Sequence, residues 1–525
     1  MSSPATLLSV VCYGLQDTRL LPPKGQPDIK NYVKVLKKTT RWAAQWVRVE
    51  FDGQPNFGQT MTCTIPRKAE LLTQVTLVTT MPDIYSPQLN AQNAVEPGTF
   101  IGPSFGWTNS LGHALIANTE FIIGGATVDR MDGLFLESRD ELYESIQDVR
   151  SKNRMINRIA NGFNSTSIGQ STTPTVNYVP LPFWFSQGNY ANALPVDALA
   201  ADQIQVSITF RPLTQLYYTE ARMDPRNPNF RPRQDIAGTM PALQGAPFYK
   251  YNQNSPNRIY SINPNFQNLG VSGEILQGYT MPTNLPMGDT YLLCEFISLE
   301  EAEAVALRSS QLDYRVEQHY IVPVQQTQRA PSVRLRLPYN NPTKELIWFL
   351  QRQEAATYNS WFLFTRELHS QLTAPDEWWH IPWWPDAVLT TSDQAKPAFR
   401  NAYSEPIRGA QLSFSNLVRF QHETAPSHFR SLLPILHYRK APLFNRYIYV
   451  YPFGLAPGAS DDPSLGPIYN PRGNSNFDKL PKKELQITMN PDPAGQQFDL
   501  NLYSYITVWN VFRVFGGRGV MLFAY

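Results

Sequence analysis

Residues 178–210 read YVPLPFWFSQGNYANALPVDALAADQIQVSITF, and this stretch decides the fold. Apolar residues from Ile204 to Phe210 alternate strictly with polar ones, which is the period of a strand with one buried face. Ahead of that strand lies a bulky aromatic block with no acid, base or ligand set nearby, formed by Phe183, Trp184 and Phe185. Such a block favours packing and assembly over catalysis.

The composition agrees with an assembling all-β protein. Charged residues make up 17% of the chain, below the usual ~25%, while aromatic residues reach 12%. Few charges leave large areas of surface that partner subunits can cover. The 44 prolines suit a chain of strands and loops, because proline cannot donate a hydrogen bond inside a ladder. The net charge of +2 is too small to favour a genome-condensing protein.

The length of 525 residues predicts two or more domains, since single cores stop growing at roughly 250–300 residues. Further alternating strands are predicted near Val333–Leu337 and Tyr447–Tyr451, separated by proline and glycine turns. One helix is expected over residues 134–149 with its acids facing outward. A capping box at Ser298–Glu301 predicts the start of another.

Several blocks of the chain resemble, in order, the major capsid proteins of nucleocytoplasmic large DNA viruses. The aromatic block is similar to that family's "PLPFWF" signature. Other matching blocks are TLLSVVCYGLQD (6–17), WTNSLGHALIANTEFIIGGATVDR (107–130), ELIWFLQ (345–351), YIYVYPFGLAP (447–457) and NPRGNSNFDKL (470–480). The segment from Asp461 to Arg472 departs from the family pattern by being longer.

The resemblance implies an all-β fold of two tandem jelly-roll β-sandwiches with long loops and a few short helices. We expect an N-terminal arm at 1–30 and a first jelly roll at 31–215. A connector at 216–288 and a second jelly roll at 289–525 follow, the latter with a long outer loop at 352–402.

The same resemblance implies a structural role rather than an enzyme. The chain would form homotrimeric, pseudo-hexagonal capsomers that tile an icosahedral shell in the virion, after synthesis and assembly in the host cytoplasm. Minor capsid proteins would bind through the arm, with the internal membrane nearby, and no specific nucleic acid is expected. Two alternatives stay open, namely a carbohydrate-binding or carbohydrate-active β-sandwich and a double jelly-roll scaffold of immature particles.

The stretches that resemble catalytic or metal-binding motifs lack the local structure or the residue spacing that such sites need. Gly102–Gly106 fits the G-x-S-x-G nucleophile elbow, but Pro97, Gly98 and Pro103 break the strand and turn that Ser104 would need. We therefore predict a loop there. The seven histidines lack metal-ligand spacing, and the three cysteines form no close pair. No catalytic residue, cofactor or metal is predicted.

Two surface features carry hypotheses of their own. A basic run interleaved with aromatic residues allows nucleic-acid binding, although a solvated or partner-facing base is favoured; it comprises Lys34, Lys37, Lys38, Arg41 and Arg48. The densest aromatic cluster is expected to pack within the outer loops, or else to stack on glycans; it comprises Trp378, Trp379, Trp383 and Trp384.

Overall fold

The computed structural model describes most of the two predicted sandwiches. The described residues are 29–30, 33–34, 42–82, 104–108, 110–145, 148–158, 175–186, 192–220, 285–353, 361–362, 364, 405–414, 417–422, 426–442, 446–454, 473–480, 482–491, 497 and 499–523.

The first sandwich consists of two antiparallel sheets. In sheet 1, two short strands and three long ones pair in the order β10–β5–β13–β3, with β9 also beside β5. These strands are β3 (Trp42–Val49), β5 (Leu71–Met81), β9 (Thr175–Pro180), β10 (Leu194–Pro195) and β13 (Thr290–Leu299). Sheet 2 has the order β4–β11–β7–β8. Its strands are β4 (Thr60–Thr64), β7 (Ile116–Ile123), β8 (Ala126–Met131) and β11 (Ile204–Phe210).

The second sandwich repeats this plan. Sheet 3 has the order β14–β22–β16–β19, with β20 beside β16 and β23 beside β22. Its strands are β14 (Leu312–Gln326), β16 (Pro342–Arg352), β19 (Ile448–Pro452), β20 (Ser475–Asn476), β22 (Leu500–Phe515) and β23 (Arg518–Met521). Sheet 4 has the order β15–β21–β17–β18. Its strands are β15 (Ser332–Arg336), β17 (Ile407–Phe414), β18 (Leu417–His422) and β21 (Lys483–Met489).

Two small sheets and several short helices complete the described residues. The small sheets are antiparallel pairs, β1 (Ile29–Lys30) with β2 (Val33–Lys34), and β6 (Ser104–Trp107) with β12 (Tyr217–Glu220). The helices are α1 (Leu111–Leu115), α2 (Gly133–Tyr143), α3 (Val149–Met155), α4 (Glu301–Ser309) and α5 (Leu433–His437). A π-helical turn, His428–Leu432, leads directly into α5, and 3-10 turns lie at Trp184–Ser186, Leu213–Gln215 and Phe477–Lys479.

The alternating pattern that predicted a strand after Ile204 is confirmed. In β11 the apolar residues Ile204, Val206, Ile208 and Phe210 are all buried, while the polar residues between them are partly exposed. Strand β21 shows the same alternation from Lys483 to Met489. Each strand therefore buries one face in its own sandwich, and the all-β prediction holds for the described chain.

Three local expectations are corrected. Strand β13 pairs with β3 and β5, so the first sandwich extends to Leu299, past the expected boundary at residue 289. Because β13 continues to Leu299, Ser298 cannot cap a helix, and α4 begins at Glu301 after the cap residue Glu300. Ser104 starts strand β6 and lies in neither a loop nor a strand-to-helix elbow.

The tight turns of the two sandwiches meet at one end of the molecule. Gly517 lies in the β22–β23 turn with a φ of 81°, and its carbonyl accepts a hydrogen bond from Ala201 N at 2.9 Å. The Asp202 carboxylate accepts from Gly519 N at 2.8 Å. Helix α4 links the two sandwiches in sequence, from the end of β13 to the start of β14.

Candidate functional site at the junction between the sandwiches

The aromatic block that dominates the sequence lies inside the chain. Phe183, Trp184 and Phe185 are each at most 2% exposed. All three rings pack around Phe121 of β7, with centroid distances of 4.9, 5.5 and 5.2 Å. Trp184 also contacts Phe512 of β22, at 5.6 Å. The block therefore joins the two sandwiches within one chain, and it presents no surface to a second subunit.

Strand β22 is shared by both hydrophobic cores. Leu502 and Ile506 pack in the core of the second sandwich, whereas Phe512 and Val514 pack in the core of the first. Burial of apolar side chains is the main favourable contribution to folding, and buried apolar side chains continue from one sandwich to the other across the junction. The two sandwiches are therefore joined by packing as well as by the chain itself.

Helix α2 carries the next layer of contacts. It follows β8, and its Phe135 ring stacks 4.7 Å from His319 of β14 and 5.3 Å from Tyr505 of β22. Asp132 caps the helix by accepting a hydrogen bond from Phe135 N at 2.7 Å. The same carboxylate accepts from Tyr505 Oη at 3.1 Å. The helix start is thus fixed against sheet 3 of the second sandwich.

The far end of α2 rests on a buried carboxylate. Glu345 of β16 accepts hydrogen bonds from Tyr143 Oη at 2.7 Å, Tyr438 Oη at 2.6 Å and Thr507 Oγ1 at 2.9 Å. Hydrogen bonds to a charged group are stronger than neutral ones. These three hydroxyls come from α2, from the segment after α5 and from β22, so Glu345 orients three separate elements.

The acids of α2 face inward, which contradicts the prediction that they lie outside. Glu137 is fully buried. Its Oε1 receives Ser110 Oγ at 2.9 Å and Arg446 Nη1 at 3.0 Å. Its Oε2 contacts His113 Nδ1 at 2.8 Å and also receives Arg158 Nη2. Arg446 comes from the second sandwich, so its ion pair with Glu137 links the two sandwiches across the junction.

The two guanidinium groups decide the charge of Glu137. Burial alone raises the pKa of a carboxyl group, but Arg158 and Arg446 outweigh burial and hold the pKa of Glu137 well below its ordinary 4.5. Because the native pKa is lowered, this group stabilises the fold above pH 4.5 and loses that contribution only as the pH falls through the lower native value. The Glu137 carboxylate is therefore ionised near neutral pH.

The edges of the two sandwiches also meet. Asp129 of β8 accepts a hydrogen bond from His319 N at 3.0 Å and lies 3.1 Å from His319 Nδ1. Beside it, Gln318 Nε2 donates to the carbonyl of Val128 at 2.6 Å. These bonds satisfy polar groups along the edge strands β8 and β14, and they fix the position of one sandwich edge against the other.

A second buried acid lies within the second sandwich. Glu405 is 1% exposed, receives the hydroxyl of Tyr449, and lies 3.4 Å from Arg430 Nη2. Burial raises its pKa to about 7, because Arg430 and Tyr449 only partly offset the loss of water. The native state thus binds a proton at Glu405 more tightly than the unfolded chain does.

The variant Glu405→Gln is expected to gain stability relative to the parent as the pH rises from 4.5 to 7. Over that range the parent must ionise a buried acid, which costs about 3 kcal/mol, whereas glutamine stays neutral. Urea unfolding at pH 4.5 and pH 8 measures this difference. Glu484→Gln, at a partly exposed ion pair with Arg336, is the matched control, and its free energy of unfolding should change with pH as that of the parent does. If the free energies of unfolding of Glu405→Gln and of the parent changed equally between the two pH values, the raised pKa of Glu405 would be contradicted.

The other predicted features add no chemical site within the part of the chain that the structure describes. Among the described residues no group of three or more His, Cys, Asp or Glu could hold a metal ion, and no helix is long and apolar enough to cross a membrane. Cys63 and Cys294 are buried, and burial raises the pKa of the Cys63 thiol to about 12. The cluster of Trp378, Trp379, Trp383 and Trp384 lies outside the described residues, as do residues 1–28 of the arm expected at 1–30.

Comparison with known proteins gives a consistent result. The family described as "Major capsid protein N-terminus" matches residues 31–244, and "Large eukaryotic DNA virus major capsid protein" matches residues 303–520. The major capsid protein of Phaeocystis pouchetii virus is 22% identical, with 99% of each chain covered. That of Paramecium bursaria Chlorella virus 1 is 21% identical, again with 99% of each chain covered.

Solved structures show the same fold. A quasi-atomic model of the PBCV-1 virus capsid matches with a TM-score of 0.62 and 16% identity, covering 94% of this chain and 100% of that one. The Faustovirus major capsid protein matches with a TM-score of 0.59 and 10% identity, covering 97% and 96%. The predicted architecture of two tandem jelly rolls is confirmed.

Proposed function

Because this chain belongs to the major capsid proteins of the nucleocytoplasmic large DNA viruses, we propose that three copies form a capsomer that tiles an icosahedral shell. The observation that carries the proposal is the buried junction. Shared cores, the Glu137 cluster and the Glu345 hydroxyls hold two sandwiches side by side in one chain. Three such chains contain six similar sandwiches, which suits a capsomer with a pseudo-hexagonal outline.

Light scattering of the purified protein is expected to give about three times the chain mass of 59.7 kDa. Obligate interfaces typically bury about 2,000–5,000 Å², and this chain has aromatic residues and few charges with which to fill them. A monodisperse monomer at micromolar concentration would contradict the trimer.

The N-terminal arm is assigned to partners beneath the shell. Residues 1–30 contain an apolar run followed by Pro22, Pro23 and Gly25, a pattern that orders on a partner more readily than alone. Deleting the arm should leave the trimer intact and impair shell assembly, as scored by electron microscopy. Loss of soluble trimer after the deletion would show instead that the arm belongs to a core sheet.

We also infer that the protein is not an enzyme. Its relatives are capsid proteins, and Ser104 opens an antiparallel strand, so it lacks the elbow geometry that activates a serine. The buried acids of the junction are engaged by arginine and hydroxyl donors. Ester turnover that vanishes in Ser104→Ala would overturn this inference.

A further inference from the structure

Four strands of each sheet in the second sandwich repeat four strands of the corresponding sheet in the first. Sheet 1 runs β10–β5–β13–β3 and sheet 3 runs β19–β16–β22–β14, so corresponding strands follow each other in the same chain order. Sheets 2 and 4 correspond likewise, from β4, β7, β8 and β11 to β15, β17, β18 and β21. Any surface used by one sandwich therefore has a counterpart on the other.

The contact inside the chain uses one surface from each sandwich. From the first sandwich it takes the connection after β8, which carries α2. From the second it takes the outer face of sheet 3, where Phe135 stacks on His319 and Tyr143 bonds to Glu345. Two counterpart surfaces remain, the connection after β18 and the outer face of sheet 1.

Both counterpart surfaces carry exposed apolar side chains. The connection after β18 carries the helical segment His428–His437, in which Leu432, Ile435 and Leu436 are 49, 66 and 63% exposed. The outer face of sheet 1 carries side chains that are 40–54% exposed, namely Trp42, Trp46, Val176 and Tyr178. Grouped apolar exposure of this kind marks interaction sites on proteins.

The strand register aligns the two sheet faces. The central strands β5 and β16 each have 11 residues, and their fourth residues are Gln74 and Glu345. Across sheet 1, Gln74 lies opposite Glu295, which lies opposite Trp46. Across sheet 3, Glu345 lies opposite Thr507, which lies opposite His319. Trp46 therefore occupies the position of His319, the residue on which the helix of the first sandwich stacks.

We propose that the helical segment His428–His437 of one copy packs on the outer face of sheet 1 of a second copy, around Trp46. The occupant is a second copy because this contact repeats, between chains, the contact already made within the chain. It joins two different surfaces, so each copy binds one neighbour on each side and a ring closes without a free face. The inference rests on the proposed trimer and assigns its interface.

Charge substitutions test the interface. Trp46→Glu and Ile435→Glu each place a carboxylate in an apolar contact, and each should convert the trimer to monomers in light scattering. Val520→Glu is the matched control, since Val520 is 56% exposed on β23, a strand that belongs to neither surface, and it should stay trimeric. Circular dichroism and the melting temperature show that the variants fold, because exposed substitutions usually change stability by less than about 0.5 kcal/mol.

Paired cysteines test the same contact without disrupting it. With a bismaleimide reagent, the variant carrying both Trp46→Cys and Ile435→Cys should give covalent dimers and closed trimers on a denaturing gel. Either single variant should match the parent, because a contact between different surfaces brings no residue against its own copy. A parent trimer that survives both charge substitutions and gives no added cross-link would overturn the interface alone. A parent that stays monomeric would overturn both the interface and the proposed trimer.

Discussion

Replacing Glu137 with glutamine is expected to lower the free energy of unfolding by about 3–5 kcal/mol at neutral pH. Arg158 and Arg446 then lose the carboxylate that both contact, and each keeps a buried positive charge with less compensation. Because Arg446 belongs to the second sandwich, the loss weakens the junction as well as the first sandwich. Urea unfolding followed by tryptophan fluorescence measures the change.

The matched control is the same substitution at the surface. Glu120 of β7 pairs with Arg130 at 2.9 Å, with the arginine side chain 51% exposed, so Glu120→Gln should cost at most about 1 kcal/mol. Equal losses for Glu120→Gln and Glu137→Gln would show that the buried cluster contributes no more than a surface pair. As the pH falls from 4.5 through the lower native pKa of Glu137, the two variants should converge, because Glu120→Gln, like the parent, then loses the contribution of the Glu137 carboxylate.

Replacing Trp184 with alanine is expected to cost about 3–5 kcal/mol, because it removes a fully packed ring and leaves a cavity. Trp184 contacts Phe121 and Phe185 in the first sandwich and Phe512 in the second. The cavity therefore opens between the sandwiches, and calorimetry should show both halves melting at a lower temperature.

Phe515→Ala serves as the comparison, since Phe515 lies three residues from Phe512 on β22 but is 65% exposed. Its free energy of unfolding should differ from that of the parent by no more than about 0.5 kcal/mol, as for ordinary surface substitutions. If Trp184→Ala melts like Phe515→Ala, the aromatic block is not what joins the sandwiches.

Local periodicity predicted those parts of the fold whose burial depends on one strand alone. The alternation from Ile204 to Phe210 fixes which face is buried, because a pleated strand allows two faces only. The boundary expected at residue 289 places strand β13 in the wrong sandwich for the opposite reason. Its partners β3 and β5 precede it by more than 200 residues, and no pattern within Thr290–Leu299 encodes such a pairing.

The junction could not be predicted from the sequence by the same logic. An acid on a helix is normally solvated, so Glu137, Asp140 and Glu141 indicate an outward face when read alone. Their burial depends on Arg158, in the same sandwich, and on Arg446, which lies more than 300 residues further along the chain in the second sandwich. The aromatic block was identified from sequence, but its second partner, Phe512, lies more than 300 residues away.

The sharing of β22 between two cores also bears on mechanics. Its 16 residues, at about 3.3 Å each, make one continuous strand roughly 50 Å long. In the described chain its hydrogen-bonded ladders join strands of the second sandwich, while Phe512 and Val514 pack in the core of the first. A load that pulls the sandwiches apart is therefore carried by side-chain packing and by buried ion pairs such as Arg446 with Glu137, and resistance to it is set when the monomer folds.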